Sequence, residues 1–141
     1  MKEATNINAC EVKQVIKCGQ KVRLEHLKTT KNLHSDIEFK APLSSRQEVS
    51  CFGHLGEGDD DDDWEIQCER KKENLFGKMR FYLKHINSGK YLYQTNEDIY
   101  TNENCQRCPI IGQGEISLID YKAAGALWII HGVFYHLGHF S

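Results

Sequence analysis

Short stretches in which apolar and polar residues alternate recur along this chain and predict β-strands. The segment Val22–His26 alternates in this way, and Phe81–His85 repeats the alternation, again with a histidine in the third place on the apolar face. Clusters of Gly, Ser, Asn and Asp separate the alternating stretches, and no stretch has the period of an amphipathic helix. The pattern therefore predicts an all-β fold.

The chain contains an internal repeat of about sixty residues, the length of one structural unit in repeat proteins. Three blocks of the first half recur in the same order in the second half. The aligned blocks are "RLEHLKTTKNLH" with "YLKHINSGKYLY", "PLSSRQEVS" with "PIIGQGEIS", and "DDWEI" with "ALWII". Because the order is kept as well as the residues, chance is a poor explanation.

Each half predicts four short strands divided by turn residues. The first unit places them near 21–26, 31–34, 47–52 and 64–68, and the second near 79–85, 90–94, 115–119 and 126–131. Short strands in a repeat of this kind favour a closed, barrel-like sheet, which removes exposed strand edges.

Two pairs of large side chains occupy matching positions in the two units. His26 aligns with His85 at a strand end just before a turn, where an imidazole can bond a turn hydroxyl or backbone group. We expect both rings to be mostly buried, and the alternative is a ligand contact repeated in each unit. Trp64 aligns with Trp128, and core packing is the expectation over stacking on a sugar.

Composition sets limits on the class of protein. The chain has 141 residues, 40% of them hydrophobic, which suits one folded domain rather than a disordered segment. A net charge of −2 does not favour nucleic-acid binding. No window approaches the ~18 consecutive apolar residues that span a membrane. The start "MKEATNINAC" has no apolar signal-peptide region, and the end "GHFS" is no retention signal.

Six cysteines leave two readings open. An even number in a small β-rich domain is compatible with an oxidising compartment, whereas free cysteines also pack as small apolar side chains. Cys105 and Cys108 form a CxxC, which could be redox-active or half of a zinc site, but it lies in a polar loop rather than where a strand opens a helix, so loop cysteines or a local bridge are expected. A zinc site needs four ligands, and no second CxxC supplies them.

The repeated blocks resemble one known family. "IKCGQKVRLEHLKTTKNLHS", "APLSSRQEVSCFG", "GEGDDDDDWEIQC" and "FYLKHINSGKYL" are similar to stromal cell-derived factor 2 and its relatives, which are built from MIR motifs. The resemblance implies a β-trefoil with two of the family's three four-stranded units, the first repeat and the signal sequence being absent. It divides the chain into a lead (1–17) and two MIR repeats (18–76 and 77–141).

The resemblance also implies a function. The family suggests a non-catalytic binding module of the endoplasmic reticulum lumen that binds a J-domain co-chaperone and unfolded or O-mannosylated clients. A carbohydrate-binding module is the alternative, and an accessory MIR domain of a protein O-mannosyltransferase is a third. No cofactor is expected. Arg46, Glu48 and His34 are the candidate binding residues.

No pattern of catalytic or metal-binding residues stands out. There is no nucleophile elbow, phosphate-binding glycine loop or HExxH motif. The acidic run 59–63 lacks the spaced ligands and glycine of a calcium loop, so we expect a solvated hairpin loop. His131, His136 and His139 fit no zinc spacing. No metal site is therefore predicted.

Overall fold

A computed structural model describes residues 16–55, 57–71, 73–75 and 77–131. Over these residues the chain is all-β apart from two three-residue 3-10 turns, Asp60–Asp62 and Ala124–Ala126, so the all-β prediction is confirmed. Most of the predicted lead, and the chain end with His136 and His139, lie outside the described residues.

The described residues form ten strands, six in the first unit and four in the second. In the first unit they are β1 (Lys21–Val22), β2 (Glu25–His26), β3 (Lys31–His34), β4 (Gln47–Glu48), β5 (Ser50–Phe52) and β6 (Trp64–Cys68). In the second unit they are β7 (Phe81–His85), β8 (Tyr91–Ile99), β9 (Gly114–Ile119) and β10 (Leu127–Trp128).

All strand pairs are antiparallel and form two sheets. The larger sheet has the order β1-β6-β7-β8-β9-β4, with β10 also paired to β7, and it runs through both units. The smaller sheet has the order β2-β3-β5 and belongs to the first unit alone. The pairing of β4 with β9 joins the hairpin of one unit to that of the next.

The internal repeat of the sequence is matched by the strand registers. Ser50 lies opposite His34 in the first unit, and Ser117 lies opposite Tyr93 in the second. The tryptophans correspond in the same way, because each indole donates to the carbonyl of an aligned leucine. Trp64 Nε1 donates to Leu33 at 3.0 Å, and Trp128 Nε1 donates to Leu92 at 2.9 Å.

Two turn positions have a left-handed backbone conformation in both units. Thr30 (φ 57°) corresponds to Gly89 (φ 71°), and Ser45 (φ 63°) corresponds to Gly112 (φ 89°). Glycine adopts these φ values without steric strain. The first unit adopts the same conformation with Thr30 and Ser45, for which it is sterically unfavourable.

The core lies between the units and is continuous. A single cluster of buried side chains comprises Trp64, Ile66, Leu75, Phe81, Leu83, Leu92 and Leu118. A disulfide between Cys18 and Cys68 ties the approach to β1 to the end of β6. A second joins Cys105 to Cys108, while Cys51 is a free, exposed thiol.

The two aligned histidines make the same local bond but differ in burial. His85 is fully buried, with Nδ1 2.8 Å from Ser88 Oγ and Nε2 2.9 Å from the Asp61 carbonyl. His26 Nδ1 lies 2.9 Å from Thr29 Oγ1, yet His26 is exposed. The prediction that both are buried is wrong for His26. The cover over His85 comes from the preceding unit, and no described segment supplies an equivalent over His26.

The acidic run is not a solvated loop throughout, which corrects the sequence-based expectation. Asp59 and Asp60 are exposed, but Asp62 and Asp63 are buried. Asp59 caps the 3-10 turn by accepting from Asp61 N at 2.9 Å, and Asp62 accepts from Asp59 N at 3.1 Å. The buried carboxylates are tolerated because each has charged or polar partners.

Candidate functional site

The turn of the first unit docks on a buried glutamate of the second. The Glu115 carboxylate is only 4% exposed. It accepts from Leu43 N at 2.6 Å, from Ser44 N at 3.2 Å and from Ser44 Oγ at 2.6 Å. One carboxylate therefore satisfies three donors of a neighbouring unit, as a buried charge requires.

Arg46 continues this junction. Its Nε donates to Ser117 Oγ at 3.0 Å, its Nη2 pairs with Asp98, and its guanidinium carbon lies 4.8 Å from the centre of the Tyr93 ring. All three partners belong to the second unit. Arg46, a predicted binding residue, is thus engaged within the molecule, although it remains partly exposed.

Glu48 is the counterpart of Glu115 in the repeat, but it does not bind a turn of the other unit in the same way. Glu48 is half-buried, and over the described residues its side chain accepts no hydrogen bond. Glu115 also acts on Tyr100, whose pKa is raised above its usual value by burial first and then by the charge of Glu115. Glu48 adds a smaller effect of the same sign.

His34, the third predicted binding residue, is buried against the acidic turn. Its Nδ1 donates to Asp62 Oδ1 at 2.8 Å, and its ring lies 4.7 Å from the ring of Phe52. Asn32 Nδ2 donates to the other oxygen of Asp62 at 3.1 Å. The structure therefore places His34 apart from the docked Arg46, and the three predicted residues do not share one pocket.

Among the described residues, one group of potential metal ligands is found, and it includes His34. One ligand atom each of His34, Asp59 and Asp62 lies within 4.8 Å of the others. His34 Nδ1 and Asp62 Oδ1 are already bonded to each other, so an ion would have to displace that bond. Elsewhere in the acidic run, Asp63 pairs with Lys21 at 3.5 Å and with Arg23, whose hydrogen bond of 2.7 Å is the main cause that holds the pKa of Asp63 below its usual range.

A groove of about 300 Å³ runs along the seam between the units. Two exposed apolar side chains, Ile37 (67% exposed) and Phe39 (57% exposed), lie at its edge. The groove is also lined by charged and polar groups, namely Lys40, Ser45, Arg46, Gln47, Lys90 and Asp120. Lys40, Lys90 and Asp120 form no ion pair within the described residues, so the unpaired charges of the groove are two positive and one negative.

Gln47, one of the residues that line this groove, has a buried acceptor without a partner in the described part of the chain. Ser35 Oγ donates to the Glu48 carbonyl at 2.6 Å, so its oxygen must accept from Gln47 Nε2, which lies at 2.9 Å. Gln47 Oε1 is then left buried with no hydrogen-bond partner in the described part of the chain. Such a group favours an added N–H or O–H donor.

A cavity of about 640 Å³ lies beside the acidic turn. Phe52, 51% exposed, forms one wall, and the other lining residues are Lys31, Gly53, His54, Glu57, Gly58 and Asp59. An exposed ring beside carboxylates is an arrangement that can stack on and hydrogen-bond a polar ring-shaped ligand.

Sequence reasoning missed two of these features. Glu115 was visible as a repeated position, but its role depends on a turn more than seventy residues away, which no local pattern shows. The groove at Ile37 and Phe39 lies in a stretch with no motif, so only exposure in the folded chain reveals it.

Comparison with known proteins relates most of the chain to one family. Residues 3–111 match the family model of the MIR domain. Stromal cell-derived factor 2 from Mus musculus is 39% identical over 126 residues, which is 89% of this chain and 55% of that protein. A stromal cell-derived factor 2-like protein from Dictyostelium discoideum is 43% identical over 104 residues, 73% of this chain and 45% of its own length. The chain thus spans about half the length of these relatives.

Solved structures give the fold type. The SDF2-like protein from Arabidopsis thaliana has a TM-score of 0.76 at 31% identity, covering 88% of this chain and 65% of that one. The S. cerevisiae protein O-mannosyltransferase Pmt1-Pmt2 complex bound to the sugar donor has a TM-score of 0.73 at 27% identity, covering 89% of this chain and 18% of that one. Among the described residues no helix is long and apolar enough to cross a membrane. The chain has a β-trefoil-type fold and belongs to the MIR-domain family, with the SDF2 and SDF2-like proteins as its relatives.

Proposed function

We propose that this chain is a non-catalytic binding module of endoplasmic reticulum quality control, which binds a J-domain co-chaperone and unfolded or O-mannosylated client proteins. The family relationship supports the compartment and the partners. The observation that carries client binding is the groove between the units, where Ile37 and Phe39 are exposed beside Lys40 and Lys90.

The chemistry of the groove selects one class of client. Apolar side chains beside unpaired cations are complementary to an extended segment that mixes apolar and acidic residues. Folded clients bury their apolar residues, so the groove discriminates in favour of unfolded ones.

A non-catalytic role is supported by the state of the histidines. His26 and His85 each bond a hydroxyl, but that hydroxyl lies in the histidine's own turn. The carbonyl of Asp61 can only accept, so Nε2 of His85 carries the proton and Nδ1 is occupied by Ser88. The buried His85 is therefore not available as a general base to a substrate.

The client proposal is tested with fluorescein-labelled peptides of equal length, one acidic–apolar and one basic–apolar. We expect the acidic peptide to bind more tightly, and Ile37→Ser/Phe39→Ser to weaken it about tenfold or more through lost apolar contact. Leu55→Ser, at a side chain that is 73% exposed elsewhere, is the matched control. Equal binding of both peptides, or equal loss in the control, contradicts the proposal.

The co-chaperone part is tested separately. A purified luminal J-domain protein is passed over the immobilised chain, and retention is measured with and without a saturating concentration of the acidic–apolar peptide. Retention in both cases supports two distinct binding surfaces. No retention removes the co-chaperone from the proposal and leaves client binding to the peptide measurement.

A second function, carbohydrate binding, is favoured by the cavity at Phe52. The exposed ring and the carboxylates of Glu57 and Asp59 can stack on and hydrogen-bond a sugar. A glycan array that includes mannosides tests this, with Phe52→Ala expected to abolish binding. Tyr121→Ala, at a ring that is 60% exposed elsewhere, is the control. Absence of saturable binding on the array excludes this function.

A further inference from the structure

The second unit carries an additional segment that contains its own disulfide. In the first unit Ala41 N donates to the Arg46 carbonyl at 2.6 Å and closes a short turn. In the second unit Tyr100 N donates to the aligned Gln113 carbonyl at 2.9 Å and closes a longer loop. The extra residues, 101–108, end in the Cys105–Cys108 bridge.

Hydrogen bonds hold this segment in place independently of the bridge. Asn104 Oδ1 accepts from Thr101 N at 2.8 Å, and Asn104 Nδ2 donates to the Ile99 carbonyl at 2.9 Å. Cys105 N donates to the Thr101 carbonyl at 2.9 Å. Because these bonds do not involve sulfur, Cys105 is held near Cys108 whether the pair is oxidised or reduced.

The other disulfide has the opposite properties. Cys18 and Cys68 are 50 residues apart, whereas Cys105 and Cys108 are 3 apart. A bridge that closes a long loop restrains the unfolded chain far more than one that closes a short loop, so Cys18–Cys68 is coupled more strongly to folding. All four cysteines are half-buried, but Cys68 packs against the core cluster, whereas Cys105 and Cys108 lie in a loop away from it.

The charge near the local pair favours exchange. Arg107 lies between the two cysteines, immediately before Cys108 in the sequence, and its side chain is exposed. A neighbouring cation stabilises the thiolate that leaves when a disulfide is attacked. Glu103, two residues before Cys105, is the nearest acidic side chain in sequence.

We propose that Cys105–Cys108 is an exchangeable disulfide that oxidises dithiols in polypeptides. A polypeptide thiolate attacks one sulfur, the Cys105–Cys108 bond breaks, and the other sulfur leaves as a thiolate. The second polypeptide thiol, as its thiolate, then attacks the mixed disulfide, which gives an oxidised polypeptide and the reduced Cys105/Cys108 pair. A small-molecule disulfide such as oxidised glutathione regenerates the bridge and is reduced to two thiols. The activity is independent of the groove at Ile37 and Phe39.

The first experiment compares the two disulfides within one molecule. The full chain with Cys51→Ser is equilibrated in glutathione buffers, alkylated, and mapped by mass spectrometry, while circular dichroism follows the fold. We expect Cys105–Cys108 to be half reduced at about tenfold or more lower reductant than Cys18–Cys68, with the fold unchanged. Reduction of both bridges together, with loss of the fold, overturns the proposal.

The second experiment measures turnover. A synthetic peptide with two cysteines is incubated with the oxidised chain, acid-quenched and separated, so that one peptide disulfide is expected for each reduced Cys105/Cys108 pair. Addition of oxidised glutathione should then give repeated turnover above its uncatalysed rate. Cys105→Ser/Cys108→Ser should abolish the reaction, while Ile37→Ser/Phe39→Ser should leave it unchanged. An equal rate with the cysteine double variant overturns the proposal, whatever the outcome for client binding.

Discussion

The two units have equivalent backbone arrangements, but equivalent side chains in them have different partners. Ser50 and Ser117 hold the same register against His34 and Tyr93, and Glu48 and Glu115 stand two residues before them. Yet Glu115 receives three hydrogen bonds from the turn of the other unit, while the carboxylate of Glu48 receives none from the described residues.

This difference separates what a repeat encodes locally from what it gains from a neighbour. Strand positions, turn conformation and the tryptophan bonds are present in both units, so each unit specifies them for itself. Burial of His85 and satisfaction of Glu115 occur only where another described segment packs against the unit. The same residue is therefore structural in one unit and available in the other.

The largest difference is expected between the two disulfides. Replacing Cys18 and Cys68 by serine should lower the free energy of unfolding by about 4 kcal/mol, and replacing Cys105 and Cys108 by about 2 kcal/mol, because the closed loops differ in length. Urea unfolding of the two double variants measures both values. Equal losses would show that loop length does not govern these bridges.

The glutamate pair comes next. Glu115→Gln should cost about 3 kcal/mol, because an amide NH₂ replaces an oxygen that faces buried donors. The matched variant Glu48→Gln should change stability by less than about 0.5 kcal/mol. Chemical denaturation measures both. A large cost at Glu48 would mean that its carboxylate has a partner beyond the described residues.

The histidine pair gives a smaller effect. His85→Asn should cost about 2 kcal/mol, since the smaller side chain leaves the Asp61 carbonyl or the Ser88 hydroxyl without a partner. His26→Asn should stay within about 0.5 kcal/mol, because His26 is exposed. Thermal unfolding of both variants tests the contrast, and similar shifts in Tm would remove it.

The smallest expected effect is a pH dependence of the first unit. Arg23 and Asp63 occupy the positions that Tyr82 and Leu127 hold as a cross-strand pair in the second unit. The folded pKa of Asp63 lies below its unfolded value, so its contribution is present above the unfolded pKa and is lost as pH falls through the folded pKa.

The second unit's own pair provides the control. Arg23→Tyr/Asp63→Leu should remove this acid-side loss of stability while leaving the slope at neutral pH unchanged. Unfolding free energies measured across the acid range compare the two proteins. An identical acid-side slope in the variant would show that other carboxylates account for it.

The repeat alone predicted much of the fold. The aligned blocks located the strands, the tryptophan pair and the histidine turns, because strand and turn signals are local. Burial was harder. The acidic run read as solvated, and it is Asn32, His34 and Arg23, distant in sequence, that make the burial of Asp62 and Asp63 tolerable.

The candidate site was harder to predict from the sequence than the fold, for the same reason. Arg46 and Glu48 were singled out as a polar pair, but the partners of Arg46 lie in the second unit, and a sequence alignment of two repeats does not say which unit contacts which. The Cys105–Cys108 bridge was within reach of spacing alone, whereas Cys18–Cys68 required the strand order of the larger sheet.

The left-handed turn positions have different residues in the two units. The conformational cost of these turns therefore falls on the native state in one unit and on the denatured state in the other. Thr30 and Ser45 place the cost in the native state, about 1–2 kcal/mol each by steric estimates. Thr30 offsets part of this, since its hydroxyl donates to the Thr29 carbonyl and accepts from Leu55 N. Gly89 and Gly112 place the cost in the denatured chain, where glycine has more conformations to lose. The second unit therefore has less backbone strain in the native state and more conformational entropy in the denatured state. Exchanging these residues between the units should change which state of the protein is destabilised.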